Sequence, residues 1–229
     1  MSADKFPLVQ PKAINEYNNA LLGETKAYPS LELVRLEKVF LKGNKKTKLL
    51  EIGYGGGCNT IHLMKCGYLL TGIDVAKNAK KVVKKKIRQS KLKKKINLKI
   101  LNPRAKRLPF KDKSFDGIIA MSILSLLGSQ KKINNLLKEL KRVLKPDGKI
   151  ILDINDQSSE FSIGKKVKKN TFLTKIQNKK ILTYCPKTKQ EFKNLVRKYF
   201  KIIDVGYTSF EIFKRKIREF IICATRNDN

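Results

Sequence analysis

The chain has 229 residues, a formal net charge of +33 and 41% apolar residues. A chain of this length buries roughly 70–75% of its unfolded surface, so its core needs neither disulfides nor a metal. No stretch reaches the roughly 18 consecutive apolar residues that span a bilayer, and the N-terminus lacks the apolar core of a signal peptide. We therefore predict a single-domain cytoplasmic protein without a transmembrane segment.

The predicted elements alternate between helix and strand along most of the chain. The predicted helices are Pro11–Leu22, Leu31–Leu41, one directly after the glycines at 53–57, Lys77–Gln89, one from about Ile133 to Leu144, and Lys189–Tyr199. Ser30 is the predicted N-cap of the second helix, and Pro146-Asp147-Gly148 ends the fifth. The predicted strands are Lys48–Ile52, Tyr68–Ile73, Ile96–Leu101, one opening with Gly117–Ala120, Lys149–Ile154, Ile202–Phe210 and Glu219–Ala224.

This alternation predicts an α/β fold, in which helices cover both faces of a mostly parallel sheet. We divide the chain into an N-terminal helical cap at 1–45 and a cofactor-binding Rossmann-like core at 46–154. An insertion at 155–187 fits no crossover helix, and we interpret it as a loop or hairpin. Residues 188–229 then supply a helix and two strands that complete the sheet.

A glycine-rich loop follows the first strand. Its glycines are Gly53, Gly55 and Gly57, and Asp74 ends the next strand 17 residues later. Glycines let the backbone approach a ligand closely, and the helix that follows presents free N–H groups. A carboxylate at the end of the second strand can accept hydrogen bonds from both hydroxyls of a ribose. The pattern indicates a cofactor that contains adenosine, without saying which one.

Three interpretations of this loop remain open. A nicotinamide or flavin site favours Gly-x-Gly-x-x-Gly, but Cys58 occupies the sixth position here. Gly-x-Gly-x-Gly after the acidic Glu51 suits a ligand that has no pyrophosphate. A purely structural glycine turn is the third possibility.

Four blocks of sequence occur along the chain: Leu50–Gly57, Gly72–Asp74, Arg107–Asp116 (RLPFKDKSFD) and Leu144–Lys149 (LKPDGK). Together they resemble class I S-adenosylmethionine-dependent methyltransferases, in particular the methyltransferase type 11 domain. They occur in the family's order and cover about residues 49–153. The resemblance implies a Rossmann-like three-layer sandwich with a seven-stranded sheet whose last strand is antiparallel, and S-adenosyl-L-methionine as the cofactor.

The resemblance also implies a role for each matching residue. Gly53, Gly55 and Gly57 would line the methionine and ribose, Glu51 would help hold the amino group, Asp74 would bind the ribose hydroxyls, Val75 would contact the adenine, and Ala120 and Met121 would border the methionine and the acceptor pocket. The family often has an Asp four residues before the Leu of its LPF block, where this chain has Arg104. Asn102 is our substitute for that adenine contact.

No catalytic residue follows from the sequence, because a class I enzyme chiefly aligns the acceptor, the methyl group and the sulfur for in-line displacement. A general base is needed only if the acceptor loses a proton. The candidates are His62, Asp153 and Asp156 at the end of the fifth strand, and Tyr28, which like Tyr17 could close over the cofactor. For each candidate the alternative is structural: a helix-surface histidine, a capping carboxylate or an aromatic residue in the core.

The cysteines and the histidine give no metal-binding pattern. None of the four cysteines forms a Cys-x-x-Cys pair, and His62 is the only histidine. A zinc site of neighbouring residues needs such spacing. We therefore predict reduced thiols and no metal.

The acceptor is the least defined part of the function. Between Val75 and Lys111 the chain has 16 Lys or Arg and no acidic residue, and Phe161–Gln190 is also free of acids. Such surfaces attract nucleic acid, but 43 Lys against 9 Arg also fits an A/T-rich genome. The sequence after strand four lacks the Asn/Asp-Pro-Pro-aromatic motif of base-amine methyltransferases. We therefore favour a small-molecule acceptor (a metabolite, lipid or sugar precursor), with an RNA methyltransferase or a non-catalytic cofactor-binding module as alternatives; the oligomeric state stays open.

Overall fold

The computed structural model describes residues 17–23, 28–93, 96–103, 105–176, 179–213 and 215–226. Its α-helices are α1 (Leu31–Leu36), α2 (Cys58–Cys66), α3 (Lys77–Gln89), α4 (Gln130–Val143) and α5 (Lys189–Val196). Its strands are β1 (Lys48–Ile52), β2 (Leu69–Asp74), β3 (Asn97–Ile100), β4 (Phe115–Ala120), β5 (Leu144–Asn155), β6 (Gly164–Lys168), β7 (Thr171–Ile176), β8 (Lys179–Tyr184), β9 (Phe200–Ile212) and β10 (Arg215–Arg226).

Short helical turns supplement these elements. Leu21–Gly23, Leu124–Leu127 and Glu160–Ser162 are 3-10 turns, and the π-helical turn Glu37–Leu41 continues α1. The predicted first helix is partly described: residues 17–20 are helical, and residues 11–16 lie outside the described part. Within that part, no helix is long and apolar enough to cross a membrane.

The main sheet has seven strands in the order β3-β2-β1-β4-β5-β10-β9. Neighbouring strands from β3 to β5 are parallel, and β10 is antiparallel to both β5 and β9. The predicted α/β fold with an antiparallel last strand is confirmed. That strand lies between β5 and β9 rather than at the edge of the sheet. The order reverses next to β1, and in such sheets ligands bind at the carboxyl ends of the strands beside the reversal.

The core consists of two apolar layers, one on each face of this sheet. On one face, Leu136, Leu140 and Phe192 from α4 and α5 pack with strand residues such as Leu50. On the other face, Leu33 and Leu63 from α1 and α2 are fully buried among strand residues that include Leu49. Adjacent residues of β1 therefore serve opposite layers, as the alternation of side chains along a strand requires. This packing fixes β1 in the middle of the sandwich.

The boundary between α4 and β5 differs from the prediction. The helix ends at Val143, and the strand begins at Leu144 rather than at Lys149. Lys145 precedes Pro146, and the proline ring disfavours helical backbone at the residue before it. The predicted turn at Pro146-Asp147-Gly148 instead lies within β5, where Asp147 has a φ of 56° and the register with β4 shifts.

The insertion contains more structure than the predicted loop or hairpin. β6, β7 and β8 form a separate three-stranded antiparallel sheet, which we call the small sheet. All residues of β6 are exposed, among them Lys165, Lys166 and Lys168. A strand with no buried face shows no apolar alternation, so its sequence gives little sign of it. Lysines along an edge strand also discourage pairing with other chains.

Several contacts place the small sheet at the carboxyl end of β4 and β5. The backbone N–H of Asn155, the last residue of β5, donates to Ser125 Oγ in the turn after β4 (2.9 Å). That turn ends at Gly128, where an added Cβ would lie 2.7 Å from the carbonyl oxygen of Leu182 in β8. The small sheet is therefore packed close to the edge of the main sheet where a ligand is expected.

Candidate functional site

The glycine loop has a backbone that only glycine adopts readily. Gly53, Gly55 and Gly57 have φ values of 73°, 46° and 79°. Residues with a Cβ are strained in this region, so each glycine is needed for the path of the loop. Gly53 N–H donates to the carbonyl of Ile73 (2.7 Å), which attaches the loop to β2, and Gly57 is the N-cap of α2.

Asp74 connects the end of β2 to this loop. Its Oδ2 accepts a hydrogen bond from Gly55 N–H, and its Oδ1 accepts one from Ala76 N–H, both at 2.8 Å. The side chain is 5% exposed. Burial raises the pKa of the Asp74 carboxyl, while the backbone N–H groups oppose the rise because they favour the charged form. A carboxylate has about four acceptor positions, so two oxygens held in this way can still accept hydroxyl groups.

Glu51 is a second buried carboxyl beneath the loop. It lies in β1, it is 3% exposed, and its Oε2 accepts a hydrogen bond from the hydroxyl of Thr60 in α2 (2.6 Å). Burial raises the pKa of Glu51 to about 7, and the negative charge of Asp74 adds to the rise. The group therefore changes its charge near neutral pH, close to the place where the resemblance expects the amino group of the cofactor.

Two side chains cover the loop from outside. A Cβ added at Gly55 would lie 2.5 Å from the hydroxyl of Tyr17, and one at Gly53 would lie 2.1 Å from Cδ1 of Ile123. Of the two tyrosines considered as a lid, Tyr17 thus lies against the loop, whereas Tyr28 is 80% exposed. A lid role for either tyrosine stays a prediction. The contact of Ile123 could not be read from the sequence, because this residue follows Gly53 by 70 positions.

The candidate adenine contacts lie beside Asp74. Val75 follows it directly and packs partly buried against the core. The backbone N–H of Leu101 donates to the carbonyl of Asp74 (2.7 Å), so the exposed Asn102 comes next to the end of β2. Arg104, at the family's usual Asp position, lies outside the described residues.

The ends of β4 and β5 form a second cluster, which we call the acceptor end: Ala120, Met121, Ser122 and Asp153. Ser122 has a φ of 59°, and its N–H donates to Asp153 Oδ1 (2.6 Å). Asp153 is 1% exposed, and its other oxygen, Oδ2, has no hydrogen-bond partner among the described residues. Burial raises the pKa of this carboxyl well above its usual range, and the charge of Glu219 raises it further. A buried oxygen such as Asp153 Oδ2 destabilises the folded state unless it has a hydrogen-bond partner.

Two other catalytic candidates have side-chain partners of their own. Asp156 is held by Arg218, whose Nε is 3.1 Å from Asp156 Oδ2, and by the N–H of Ser158, which donates to Oδ1 (2.7 Å). These contacts fit the capping role that was the alternative for Asp156. His62 lies in α2 with its Nε2 3.6 Å from Cys66 Sγ, and burial lowers the pKa of its imidazole.

Comparisons with known proteins agree with this geometry. Residues 50–152 match the family described as "Methyltransferase domain". An "Uncharacterized methyltransferase" of Alkaliphilus oremlandii is 27% identical over 188 residues, which cover 81% of this chain and 79% of that protein. An uncharacterized protein of Methanocaldococcus jannaschii is 32% identical over 114 residues, which cover 50% of this chain and 47% of that protein. The chain thus spans about half the length of this second relative.

A solved structure shares the fold over nearly the whole chain. The crystal structure of a SAM-dependent methyltransferase from Methanosarcina mazei has a TM-score of 0.69 and 24% identity, and the match covers 87% of this chain and 98% of that one. The similarity therefore extends beyond the matched family segment to the N-terminal and C-terminal elements of the sandwich.

Proposed function

We propose that this chain, which carries a class I S-adenosylmethionine-dependent methyltransferase domain at residues 50–152, transfers the methyl group of its cofactor to a small-molecule acceptor. The observation that carries the proposal is the hydrogen bond from Gly55 N–H to Asp74 Oδ2. It joins the glycine loop and the strand-end carboxylate in one rigid unit at the carboxyl edge of a parallel sheet.

This unit suits an adenosyl sulfonium better than a dinucleotide. We assign the ribose hydroxyls to Asp74, the methionine part to Gly53 and Gly55, and the adenine to Val75 and Asn102. Glu51 would attract the positively charged amino group once its carboxyl is ionised. Ala120 and Met121, where β4 ends next to β5, would border the methionine part and the acceptor.

Asp153 is our candidate for proton removal at the acceptor end. S-adenosyl-L-methionine, when bound, would supply the methyl group to an acceptor X–H and leave as S-adenosyl-L-homocysteine, and Asp153 would take up the proton that X loses. Burial and the charge of Glu219 raise the pKa of the Asp153 carboxyl well above its usual range, so this group holds a proton more readily than an exposed carboxylate does, which suits a general base. The position of Asp153 beside Ser122 brings this group to the end of β4 rather than to the glycine loop.

The layout of charge supports a small acceptor. The lysine-rich helix α3 connects β2 to β3, at one edge of the sheet. The acceptor end lies at β4 and β5, and β3 is three strand positions from β4, or about 14 Å at the usual spacing of strands. An RNA bound along α3 would therefore have its phosphates displaced from the point of methyl transfer.

An RNA methyltransferase is the second candidate, and the exposed lysines of the small sheet favour it. Lys165, Lys166 and Lys168 lie on β6, in the sheet that packs at the carboxyl end of β4 and β5. A phosphate backbone on this strand would come closer to the acceptor end than one on α3.

One experiment separates the two candidates. The chain is incubated with S-adenosyl-L-methionine labelled on its methyl group, and with either a small-metabolite fraction or total RNA. We expect label in the small-molecule fraction, and RNA binding that is weak and falls steeply between 50 and 200 mM salt. Label found only in RNA would replace the first proposal with the second, and turnover of neither would favour a non-catalytic cofactor-binding module.

A further inference from the structure

Three side chains with metal-ligating atoms converge on the outer side of α2, away from the glycine loop. His62 and Cys66 are one turn apart on that helix, and Glu37 comes from the π-helical turn after α1. One ligand atom from each residue lies within 4.8 Å of the other two, and no other such group occurs in the described ranges. We call these residues the metal cluster.

The spacing within the metal cluster matches that around a zinc ion. Zinc binds sulfur at about 2.3 Å and imidazole nitrogen at about 2.0 Å, so tetrahedral geometry separates the two atoms by about 3.5 Å. The observed distance from His62 Nε2 to Cys66 Sγ is 3.6 Å. Residues four apart on a helix share one face, which explains how both side chains can reach the same point.

A neighbouring side chain holds the carboxylate of Glu37. The hydroxyl of Tyr68 donates to Glu37 Oε1 (2.6 Å), and that same hydroxyl accepts a hydrogen bond from Gly43 N–H (3.2 Å). Outer hydrogen bonds of this kind fix the orientation of a metal-ligating carboxylate. Tyr68 thus positions the carboxylate through Oε1, and Oε2 of Glu37 is the oxygen that would bind the metal.

The ligand types select the metal. Thiolate and imidazole favour zinc over magnesium and calcium, which prefer oxygen ligands alone. One thiolate and one carboxylate would balance the two charges of a zinc ion. Three protein ligands also leave the fourth position for water. Lys38 and Lys65 lie close enough to affect the charge of His62, and they would oppose a bound cation.

We propose that Glu37, His62 and Cys66 form a zinc site that ties the segment preceding β1 to α2. This site differs from the cofactor-binding loop at the start of the same helix. Its expected effect is structural: a bound ion links two elements that in the metal-free chain meet through side-chain packing, and it stabilises the folded state over the unfolded one.

The test uses cobalt as a spectroscopic substitute for zinc. The full chain is freed of metal with a chelator and titrated with Co²⁺, and we expect one equivalent to produce a thiolate-to-cobalt charge-transfer band that Zn²⁺ removes. Cys66→Ser should abolish the band, and His62→Gln should weaken Co²⁺ binding at least tenfold. Cys58→Ser is the matched control on the same helix, and it should keep the band.

Thermal unfolding provides the second readout. Saturating Zn²⁺ should raise the Tm of the unaltered chain by several degrees and leave that of Cys66→Ser unchanged. Circular dichroism of each metal-free variant establishes that it folds. The proposal is overturned if the band persists in Cys66→Ser, if Glu37→Gln binds Zn²⁺ as tightly as the unaltered chain, or if Zn²⁺ binds only above about 100 µM.

Discussion

Asp74 ends β2, and Asp153 lies two residues before the end of β5. Both are almost completely buried, but their surroundings differ. Asp74 accepts N–H groups on both of its oxygens, from Gly55 and Ala76. Asp153 accepts one N–H on Oδ1, from Ser122, and its Oδ2 has no partner among the described residues. Asp74, whose two oxygens both accept backbone N–H groups, suits a cofactor that all members of a family share. Asp153, whose Oδ2 has no partner among the described residues, suits an acceptor that differs between members.

The largest expected effect is at the glycine loop, which Asp74 holds in place. Gly55→Val adds a β-branched side chain at a φ of 46° and directs its Cβ to within 2.5 Å of the Tyr17 hydroxyl. We expect binding of S-adenosyl-L-methionine to fall below detection in a calorimetric titration. Gly206→Ala in β9 is the control, since an added Cβ there meets nothing within 4 Å. Equal loss of binding in both variants would mean that the loop has no special role.

The acceptor end is tested by Asp153→Asn. If Asp153 removes a proton during transfer, turnover should fall by about 100-fold or more, while the affinity for the cofactor stays unchanged. The measurement compares methyl transfer to an identified acceptor with a calorimetric titration of the cofactor. Asp156→Asn changes the first residue after β5, three residues from Asp153, and should keep near-normal turnover. A loss of cofactor affinity in Asp153→Asn would assign this residue to the cofactor instead.

Asp74→Ala should give a smaller effect than Gly55→Val. The variant removes the proposed contact with the ribose hydroxyls and the bond to Gly55 N–H, so we expect the Kd for the cofactor to rise about 10- to 100-fold. The far-ultraviolet circular dichroism should stay unchanged, because the strands do not depend on this side chain. An exposed acid, Asp204, serves as the control through Asp204→Ala. Unchanged affinity in Asp74→Ala would contradict the assigned ribose contact.

The smallest effect concerns Glu51 and the pH dependence of stability. The pKa of Glu51 is about 7 in the folded chain against 4.5 ordinarily, so the folded state binds more protons between these values. The contribution of Glu51 to the free energy of unfolding is therefore fully present below pH 4.5 and is lost as the pH rises to about 7. Glu51→Gln is neutral at every pH and can still accept a hydrogen bond from Thr60. Its free energy of unfolding, relative to that of the unaltered chain, should therefore be higher at pH 8 than at pH 5. Urea unfolding at both values measures the difference, and an equal change in both chains would refute the raised pKa.

The sequence predicted the parts of the molecule that depend on local patterns. The strand Lys48–Ile52 and the helix Lys77–Gln89 have the predicted bounds, because apolar periodicity and flanking turns mark their ends. Gly55 and Asp74 were identified from their spacing, and the structure brings them into direct contact. The roles assigned to the site residues remain predictions.

Features that depend on distant contacts were missed. The lysine-rich sequence of β6 does not indicate a strand, because this strand depends on its pairing with β7. Glu37 is 25 residues before His62, so no search for local metal-ligand spacing could join them. The open oxygen of Asp153 likewise depends on how β4, β5 and β10 meet. In each case the information is in the packing of separate elements rather than in any one segment.

The most direct test of the central claim is a calorimetric titration of the unaltered chain with S-adenosyl-L-methionine and, separately, with NAD⁺. The glycine loop and Asp74 predict one saturable site for S-adenosyl-L-methionine, competed by S-adenosyl-L-homocysteine, and no heat of binding with NAD⁺. Saturable binding of NAD⁺ with none of S-adenosyl-L-methionine would contradict the account.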